Sequence, residues 1–199
     1  MNVGSEGVVL LQAITDDHPC GQNLEDTPLL ASFDTFRLFG QATPHEPVPE
    51  WGAIRDAAQE ALTRSKDLRL LAHLASAVLR TDGLPAFADT LTIAAEWLAR
   101  YWEQVYPLVD EDPILRRSAL NCFADQMAVV DGLRRTPLVD SKQHGRFSLR
   151  DFDIASGQMQ PGPAEARPDE ARINAAFAAA PLDDLARMQQ SAAGALGAL

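Results

Sequence analysis

The sequence is poor in β-branched residues. Among its 199 residues, Val and Ile together number only 16, and Ala and Leu are more than three times as many. Ala and Leu lose little rotamer freedom in a helix, whereas β-branched residues lose more. The composition therefore favours a mostly helical fold.

Long apolar runs are also missing. No run approaches the roughly 20 residues that span a bilayer, so we expect no direct membrane insertion. The N-terminus has no basic region, and the apolar run at 8–11 is too short for the core of a signal peptide. The two cysteines, Cys20 and Cys122, form no CxxC pattern, which indicates a reducing compartment without structural zinc. We therefore expect a cytoplasmic protein.

Basic residues are scarce. The chain has 17 Lys and Arg against 28 Asp and Glu, a formal net charge of −11. Nucleic-acid binding needs a basic patch for phosphate contacts, and none is visible. The negative charge lies mainly in residues 1–50 and 151–199, whereas residues 51–150 are balanced.

Motifs for catalysis, cofactors and metals are lacking. The sequence has no Gly-rich phosphate loop, serine elbow or dinucleotide fingerprint, so we predict no cofactor. Asp110-Glu111-Asp112 lacks the Gly and the trailing Glu of a calcium loop, and Asp112 before Pro113 is typical of a helix cap. His73 is predicted on the outer face of its helix, without the second ligand at i±4 that a zinc helix needs. We therefore predict no metal site.

Cys20 lies close to His18, which raises the alternative of a cysteine hydrolase. Catalytic pairs are usually distant in sequence and brought together by the fold. Pro19 and Gly21 on either side of Cys20 favour a simple turn. The interpretation that we prefer is a protein that is not an enzyme.

The hydrophobic periodicity predicts a compact domain of about seven helices with a short β-hairpin. The expected helices are 28–40 after a Thr27 cap, 51–64, 68–82, 85–106, 113–131, 169–179 and 182 to the C-terminus. Residues 136–139 and 146–149 are the expected hairpin strands. Two apolar stripes on 85–106 predict that this helix is central, packed against 68–82 and 113–131. Trp97 and Trp102 are expected in the core, whereas Trp51 is compatible with either core or interface.

The chain divides by composition into three parts. Residues 1–27 are irregular and acidic, 28–160 form the helical domain, and Pro161-Gly162-Pro163 opens a linker that leads to the C-terminal helices within 161–199. The last helix has no clear cap, so we expect the native polypeptide to continue.

Several blocks in this order resemble a known family. They are Pro19-Cys20-Gly21, Trp51 at a helix start, Ser65-Lys66-Asp67-Leu68-Arg69, Tyr101-Trp102 with Val105-Tyr106-Pro107, Leu133-Arg134-Arg135-Thr136-Pro137-Leu138, and Phe147-Ser148-Leu149-Arg150-Asp151. Their order and spacing resemble the ImpA-type N-terminal domain of the TssA family of bacterial type VI secretion systems.

The resemblance implies a structural assembly protein. It implies a docking domain, here 28–160, that helps to organise the baseplate and the contractile sheath and tube, with baseplate, sheath or tube proteins as partners. It further implies C-terminal domains through which the full-length protein self-associates. An alternative within the resemblance is a membrane-anchored relative that caps the sheath.

Four polar residues in the matching blocks are candidate partner contacts: Arg69, Arg134, Arg135 and Arg150. The alternative for each, which we favour, is an internal ion pair that holds a loop.

Overall fold

The computed structural model describes residues 9–44, 46–109, 113–163 and 165–198, and it confirms a mostly helical fold with one small hairpin. Within these residues there are nine α-helices, where the sequence predicts about seven. Their bounds are α1 Pro28–Asp34, α2 Trp51–Leu62, α3 Leu68–Thr81, α4 Leu84–Arg100, α5 Pro113–Asn121, α6 Asp131–Arg135, α7 Leu149–Ala155, α8 Glu170–Ala179 and α9 Leu182–Ala198. The strands are β1 Pro137–Ser141 and β2 Gly145–Ser148.

Helix α3 occupies the centre of the fold. All of its residues from Leu68 to Leu79 are buried except Arg69. Helices α1, α2, α4, α5 and α6 all pack on it. A helix that is surrounded in this way needs apolar or small residues on all its faces, and the Leu/Ala-rich sequence of α3 supplies them.

The prediction that 85–106 is the central helix is wrong. Helix α4 ends at Arg100, and its main neighbours are α3 and α9 rather than the segment 113–131, which packs on α3 through α5. Both faces of α4 are apolar because α3 covers one and the C-terminal helix α9 covers another. Residues 101–107 leave the helix and turn back towards the N-terminus of α3.

The predicted fifth helix, 113–131, is broken. A 3₁₀ turn, Cys122–Ala124, and a π-helical turn, Gln126–Val130, separate α5 from α6. Asp125 has an extended ψ of 132°, and its carboxylate accepts hydrogen bonds from the backbone N–H groups of Met127 and Ala128. The Asp125 side chain thus supplies the acceptor for N–H groups at the start of the next helical turn, which compensates for the interruption of the helix at this point. The predicted cap Asp112 lies outside the described residues.

Side-chain caps begin four of the described helices, α1, α3, α7 and α8. Thr27 caps α1 through its side chain, as the sequence predicts, but α1 ends at Asp34 rather than near Gly40. Arg37, with φ of 47°, is left-handed and cannot continue a helix. Ser148 and Asp151 form a capping box that starts α7 directly after β2.

The hairpin is confirmed, and the C-terminal helices pack on the body of the fold. β1 and β2 pair antiparallel, with Asp140 opposite Arg146 and Ser141 opposite Gly145. Helix α8 packs on both strands and on α7, whereas α9 packs along α4. Residues 161–163 and 165–169 form no helix or strand.

Candidate functional site

Three segments that are distant in the sequence meet at the N-terminus of α3, and we call this meeting point the junction. They are residues 19–22, 64–69 and 101–107. Asp67 and Tyr106 form a parallel bridge, in which the Leu68 N–H donates to the Tyr106 carbonyl at 2.9 Å. Three of the blocks that carry the family resemblance therefore lie side by side in space.

The other side of the junction is an antiparallel bridge between Gly21 and Ser65. The Lys66 N–H donates to the Cys20 carbonyl at 2.9 Å. Gly21 has φ of +72°, and a Cβ at this position would collide with the carbonyl of Arg64. A glycine is required here because the two backbones approach closely in a left-handed conformation.

Lys66 is the most unusual residue of the junction, since only 1% of it is exposed. Its ammonium donates to the carbonyls of Leu10 at 2.6 Å and Gln12 at 2.7 Å. The same nitrogen lies 5.0 Å from the ring centroid of Trp97 and 5.8 Å from that of Tyr101. Burial lowers the pKa of Lys66. The carbonyls and the ring faces replace water around the charge, so Lys66 acts as a clamp on the N-terminal segment.

The environment of Cys20 does not suit a nucleophile. The side chain is buried within the core around Leu62 and Leu68, and burial raises its pKa to about 11, although Lys66 and Arg116 act in the opposite direction. A thiol with that pKa is protonated at neutral pH, whereas a reactive cysteine needs a lowered pKa. His18 contributes to the turn through its carbonyl, which accepts from the Gly21 N–H at 2.9 Å.

Arg69, the first candidate contact, belongs to the junction. The fully buried Asp67 caps α3 at the Arg69 N–H and also binds the Arg69 guanidinium at 2.8 Å. Glu25 approaches the same guanidinium at 3.5 Å, and the Arg69 side chain is only 22% exposed. These ion pairs fix the start of α3 against the N-terminal segment.

Arg134 and Arg135 lie on α6 and are the most exposed of the candidates. Arg134 pairs with Asp153 of α7 at 3.7 Å, and its side chain is 44% exposed. Arg135 pairs with Asp131 one turn earlier on α6 at 2.7 Å, and its side chain is 50% exposed. Exposed pairs of this kind contribute at most about 1 kcal/mol, so both guanidinium groups can exchange their partners at little cost.

Arg150 holds the segment that precedes α8. Its Nη2 and Nε donate to the two carboxylate oxygens of Glu165 at 2.5 Å and 3.0 Å. Hydrogen bonds from Arg150 and from the Gly162 N–H lower the pKa of Glu165 to about 2, and the charge of Arg135 acts in the same direction. The structure thus brings Arg135 and Arg150 into one electrostatic neighbourhood, whereas Arg69 is part of the junction.

Trp102 is exposed, so the prediction that it lies in the core is wrong. It is 49% exposed, because α4 ends at Arg100 and residues 102–104 form the tip of a turn. The buried Arg116 of α5 holds this turn, donating to the carbonyls of Pro107 at 2.6 Å, Trp102 at 3.0 Å and Val105 at 2.5 Å. The Arg116 guanidinium also lies 5.2 Å from the centroid of the Trp102 ring. Trp97, by contrast, is buried as predicted.

The expectation that His73 lies on an outer face is also wrong. The residue is 8% exposed, and its ring lies 5.0 Å from Phe33 and 4.9 Å from Phe39, centroid to centroid. Burial lowers its pKa to about 4, so the imidazole is neutral at physiological pH. Its Nδ1 has no hydrogen-bond partner among the described residues. The ring borders an open cavity of about 410 Å³ between α1, α3 and α5.

Metal ligands do not cluster in the part of the chain that the structure describes. In that part, no group of three His, Cys, Asp or Glu side chains is arranged to hold an ion. Asp110-Glu111-Asp112 and His45 lie outside it.

Trp51 is half-buried. Its ring packs on the Arg80 guanidinium, which lies 4.2 Å from the ring centroid.

The two residues that sequence reasoning missed are Lys66 and Arg116. Lys66 had a weak signal, because it stands between two helices within one of the resemblance blocks. Arg116 had no signal in the sequence, since nothing in the pattern of α5 distinguishes it from the exposed Arg117.

Among the described helices, none is long and apolar enough to cross a bilayer.

The chain is similar to known proteins of type VI secretion. Residues 11–125 match the family model described as "ImpA, N-terminal, type VI secretion system". The chain is 35% identical over 198 residues to the type VI secretion system component TssA1 of Pseudomonas aeruginosa. That match covers 94% of this chain and 56% of the relative, so the chain spans about half the length of the protein that it matches.

A solved structure has the same fold. It is the N-terminal domain, including the conserved ImpA_N region, of the TssA component of the type VI secretion system from Burkholderia cenocepacia. The TM-score is 0.70 at 22% identity, with 100% of this chain and 83% of that chain covered. The family model covers more than half of the chain and includes all three segments of the junction. The chain belongs to the ImpA N-terminal family of the type VI secretion system.

Proposed function

We propose that this chain is a protein-docking module that helps to organise the baseplate and the contractile sheath and tube of a type VI secretion system. Membership of the ImpA N-terminal family and the similarity to TssA1 of Pseudomonas aeruginosa carry the proposal. Its partners are baseplate, sheath or tube proteins, and it acts in the cytoplasm without catalysing a reaction. Residues 28–160 form the docking domain. Residues 161–199 connect it to C-terminal domains through which the full-length protein self-associates.

The use of the buried charges supports a structural role. Lys66 and Arg116 both direct their donors at backbone carbonyls, and Asp67 caps a helix. These groups hold segments of the chain together. Charged groups that are bound to the backbone in this way make the fold rigid. A rigid surface loses less conformational entropy when a partner docks on it.

Arg134 and Arg135 are the candidate contacts that a partner can reach. Both are half-exposed, and both belong to pairs that cost little to break. Arg69 and Arg150 are less exposed, with 22% and 16% of their side chains accessible, and their removal would also disturb the chain itself. Substitution of Arg134 and Arg135 therefore tests docking with the smallest effect on folding.

The test is a binding assay with purified sheath, tube and baseplate proteins of the same bacterium. The immobilised wild-type chain is compared with the double variant Arg134→Ala, Arg135→Ala by biolayer interferometry. The double variant Arg64→Ala, Arg100→Ala is the control, since it also removes two exposed arginines that pair with a Glu one turn away. We expect wild-type binding to one component and a loss of at least about tenfold in affinity only for the α6 variant.

Two results would contradict the proposal at different levels. If none of the three components binds the folded wild-type chain, the docking function is wrong for this part of the protein. If one component binds both double variants as well as the wild type, docking stands and Arg134 and Arg135 are not contacts.

A further inference from the structure

We infer that the cavity between α1, α3 and α5, which we call the His73 cavity, receives an arginine side chain of the docked partner protein. This inference rests on the proposed function, since it names a contact for the same docking event. It is independent of Arg134 and Arg135, which lie on α6 and do not line this cavity.

The buried imidazole is the first argument. His73 is 8% exposed and lines the cavity, and its Nδ1 has no hydrogen-bond partner among the described residues. A buried polar group without a partner destabilises a chain on its own, so it calls for an explanation. The imidazole is neutral at physiological pH because burial lowers its pKa, and a neutral imidazole keeps one nitrogen as an acceptor. A ligand that donates hydrogen bonds fits this wall of the cavity.

Charge gives the sign of the ligand. The charged residues that line the cavity are Glu25, Asp26, Asp34 and Arg69. The guanidinium of Arg69 is already balanced by Asp67 at 2.8 Å and by Glu25 at 3.5 Å. Asp26 and Asp34 are exposed, and neither forms an ion pair within the part of the chain that the structure describes. The cavity therefore attracts a cation and repels an anion.

The aromatic and aliphatic walls select among cations. Phe33 and Phe39 line the cavity beside His73, with ring centroids 5.0 Å and 4.9 Å from that of the imidazole. Leu30 and Leu115 add aliphatic surface, against which a methylene stem packs. A guanidinium stacks on aromatic rings, is more weakly hydrated than an ammonium, and has five N–H donors for the imidazole and the carboxylates. The volume of about 410 Å³ lies within the range of ligand pockets.

The first test measures binding of the cation alone to the purified chain. The probe is N-acetyl-arginine amide, and the control is N-acetyl-citrulline amide, which has nearly the same shape without the charge. NMR follows the ring signals of His73 and the backbone N–H signals of Phe39 and Ala119, which also line the cavity. We expect saturable shifts with a dissociation constant of about 1 to 10 mM for the arginine probe, and at least tenfold weaker binding of the citrulline probe. N-acetyl-lysine amide, which has the same charge, should bind several-fold more weakly than the arginine probe.

Two variants separate the carboxylate from the imidazole. Asp34→Asn should weaken binding of the arginine probe about threefold, because it removes one of the exposed carboxylates. His73→Phe should weaken it about tenfold, because the ring remains while the acceptor nitrogen is lost. The matched control is Asp183→Asn, which removes an exposed carboxylate of α9 that does not line the cavity, and it should bind as the wild type does. Urea unfolding confirms that all three variants are folded.

The second test uses the component that binds the wild type in the biolayer interferometry assay. Asp34→Asn and His73→Phe should each weaken its binding at least about fivefold, whereas Asp183→Asn should have no effect. This result would assign the arginine to the docked partner.

The outcomes distinguish the cavity from the docking function. If the arginine and citrulline probes bind alike, or if no saturable shift appears up to about 50 mM, the cavity holds water only and the inference is overturned. If a component binds the wild type and both cavity variants equally well, docking stands and the inference is overturned. If sedimentation shows a wild-type dimer that Asp34→Asn dissociates, the arginine belongs to a second copy, which overturns the assignment to another protein. If no component binds the wild type, the proposed function fails and the partner's arginine fails with it.

Discussion

The buried His73 makes a defined contribution to the pH dependence of stability. Its pKa is about 4 in the folded chain, because burial disfavours the charged form, and about 6.5 in an unfolded chain. Between these two values the unfolded state binds more protons than the folded state. Acid therefore favours unfolding, so the stability is fully present above pH 6.5 and is lost as the pH falls towards 4.

The size of the effect follows from the two pKa values. Linkage gives a loss of about 2 kcal/mol between pH 7 and pH 5, and about 3 kcal/mol by pH 4. With a urea m-value of about 2 kcal/mol/M, the first figure lowers the midpoint of unfolding by about 1 M. Carboxyl groups titrate in the same range, but they do so in every variant and cancel in a comparison.

The assay compares urea unfolding at pH 7, 6 and 5 for the wild type, His73→Phe and His73→Gln. Both substitutions remove the titrating group, so both variants should lose about 2 kcal/mol less than the wild type over this range. His73→Phe should also be at least as stable as the wild type at pH 5, because phenylalanines already surround the site and the buried Nδ1 has no hydrogen-bond partner among the described residues.

Leu79→Ala is the matched control on the same helix. It should destabilise the chain by about 3 kcal/mol at every pH, since it leaves a cavity in a buried position without removing a titrating group. The reasoning is refuted if His73→Phe and His73→Gln keep the pH slope of the wild type. An NMR titration that finds the His73 pKa near 6.5 would refute it as well.

Three further predictions concern the junction. Gly21→Ala should lower the free energy of unfolding by more than about 2 kcal/mol, while Gly40→Ala, at a similar positive φ but in open space, should cost only about 1 to 2 kcal/mol; urea unfolding of both tests this. Lys66→Met should destabilise the chain by about 3 kcal/mol in the same assay, because two carbonyls lose their donor, and a variant of wild-type stability would contradict the clamp. In a Cys122→Ser background, which removes the other free thiol, the Cys20 thiol should react with a disulfide reagent at pH 8 only after unfolding, and rapid reaction of the native variant would show that Cys20 is accessible and ionised.

Hydrophobic periodicity correctly predicted the helices and strands in which the local sequence pattern agrees with the tertiary packing. In α2, the four positions predicted to face inward, Ile54, Ala58, Ala61 and Leu62, are all buried, because one face of this helix meets the core. The hairpin and the two last helices are also where the pattern places them. In each case the local pattern and the tertiary environment agree.

The failures occur where tertiary contacts override a local pattern. An apolar stripe cannot tell whether Trp102 continues the helix or sits on a turn held by Arg116, because that arginine lies 14 residues away in the sequence. The outer-face prediction for His73 failed for the same reason: one polar residue on a helix looks exposed until other helices cover it. The Asp125 break lies within a continuous apolar stripe, and only its capping geometry explains it.

The sequence also could not show which of the four candidate arginines are exposed and which are held by ion pairs. The blocks around Arg69 and Arg150 contain nearby acidic residues, but the partner of Arg150, Glu165, lies across the Pro-rich segment. Sequence spacing gives no reason to join these two residues. The exposure that separates Arg134 and Arg135 from the other two is likewise a property of the folded surface.

The junction also bears on how the family can diverge. Lys66 joins segments that lie 56 residues before it, at Leu10, and 40 residues after it, at Tyr106. The entropy of closing such long loops grows only logarithmically, by about 0.6 kcal/mol for each doubling of length. Insertions and deletions in the exposed turns between the junction segments are therefore cheap, whereas a shift of Lys66 would separate its buried ammonium from the carbonyls of Leu10 and Gln12. Relatives can be expected to vary in the length of these turns, while the buried helices and the contacts of Lys66 stay the same.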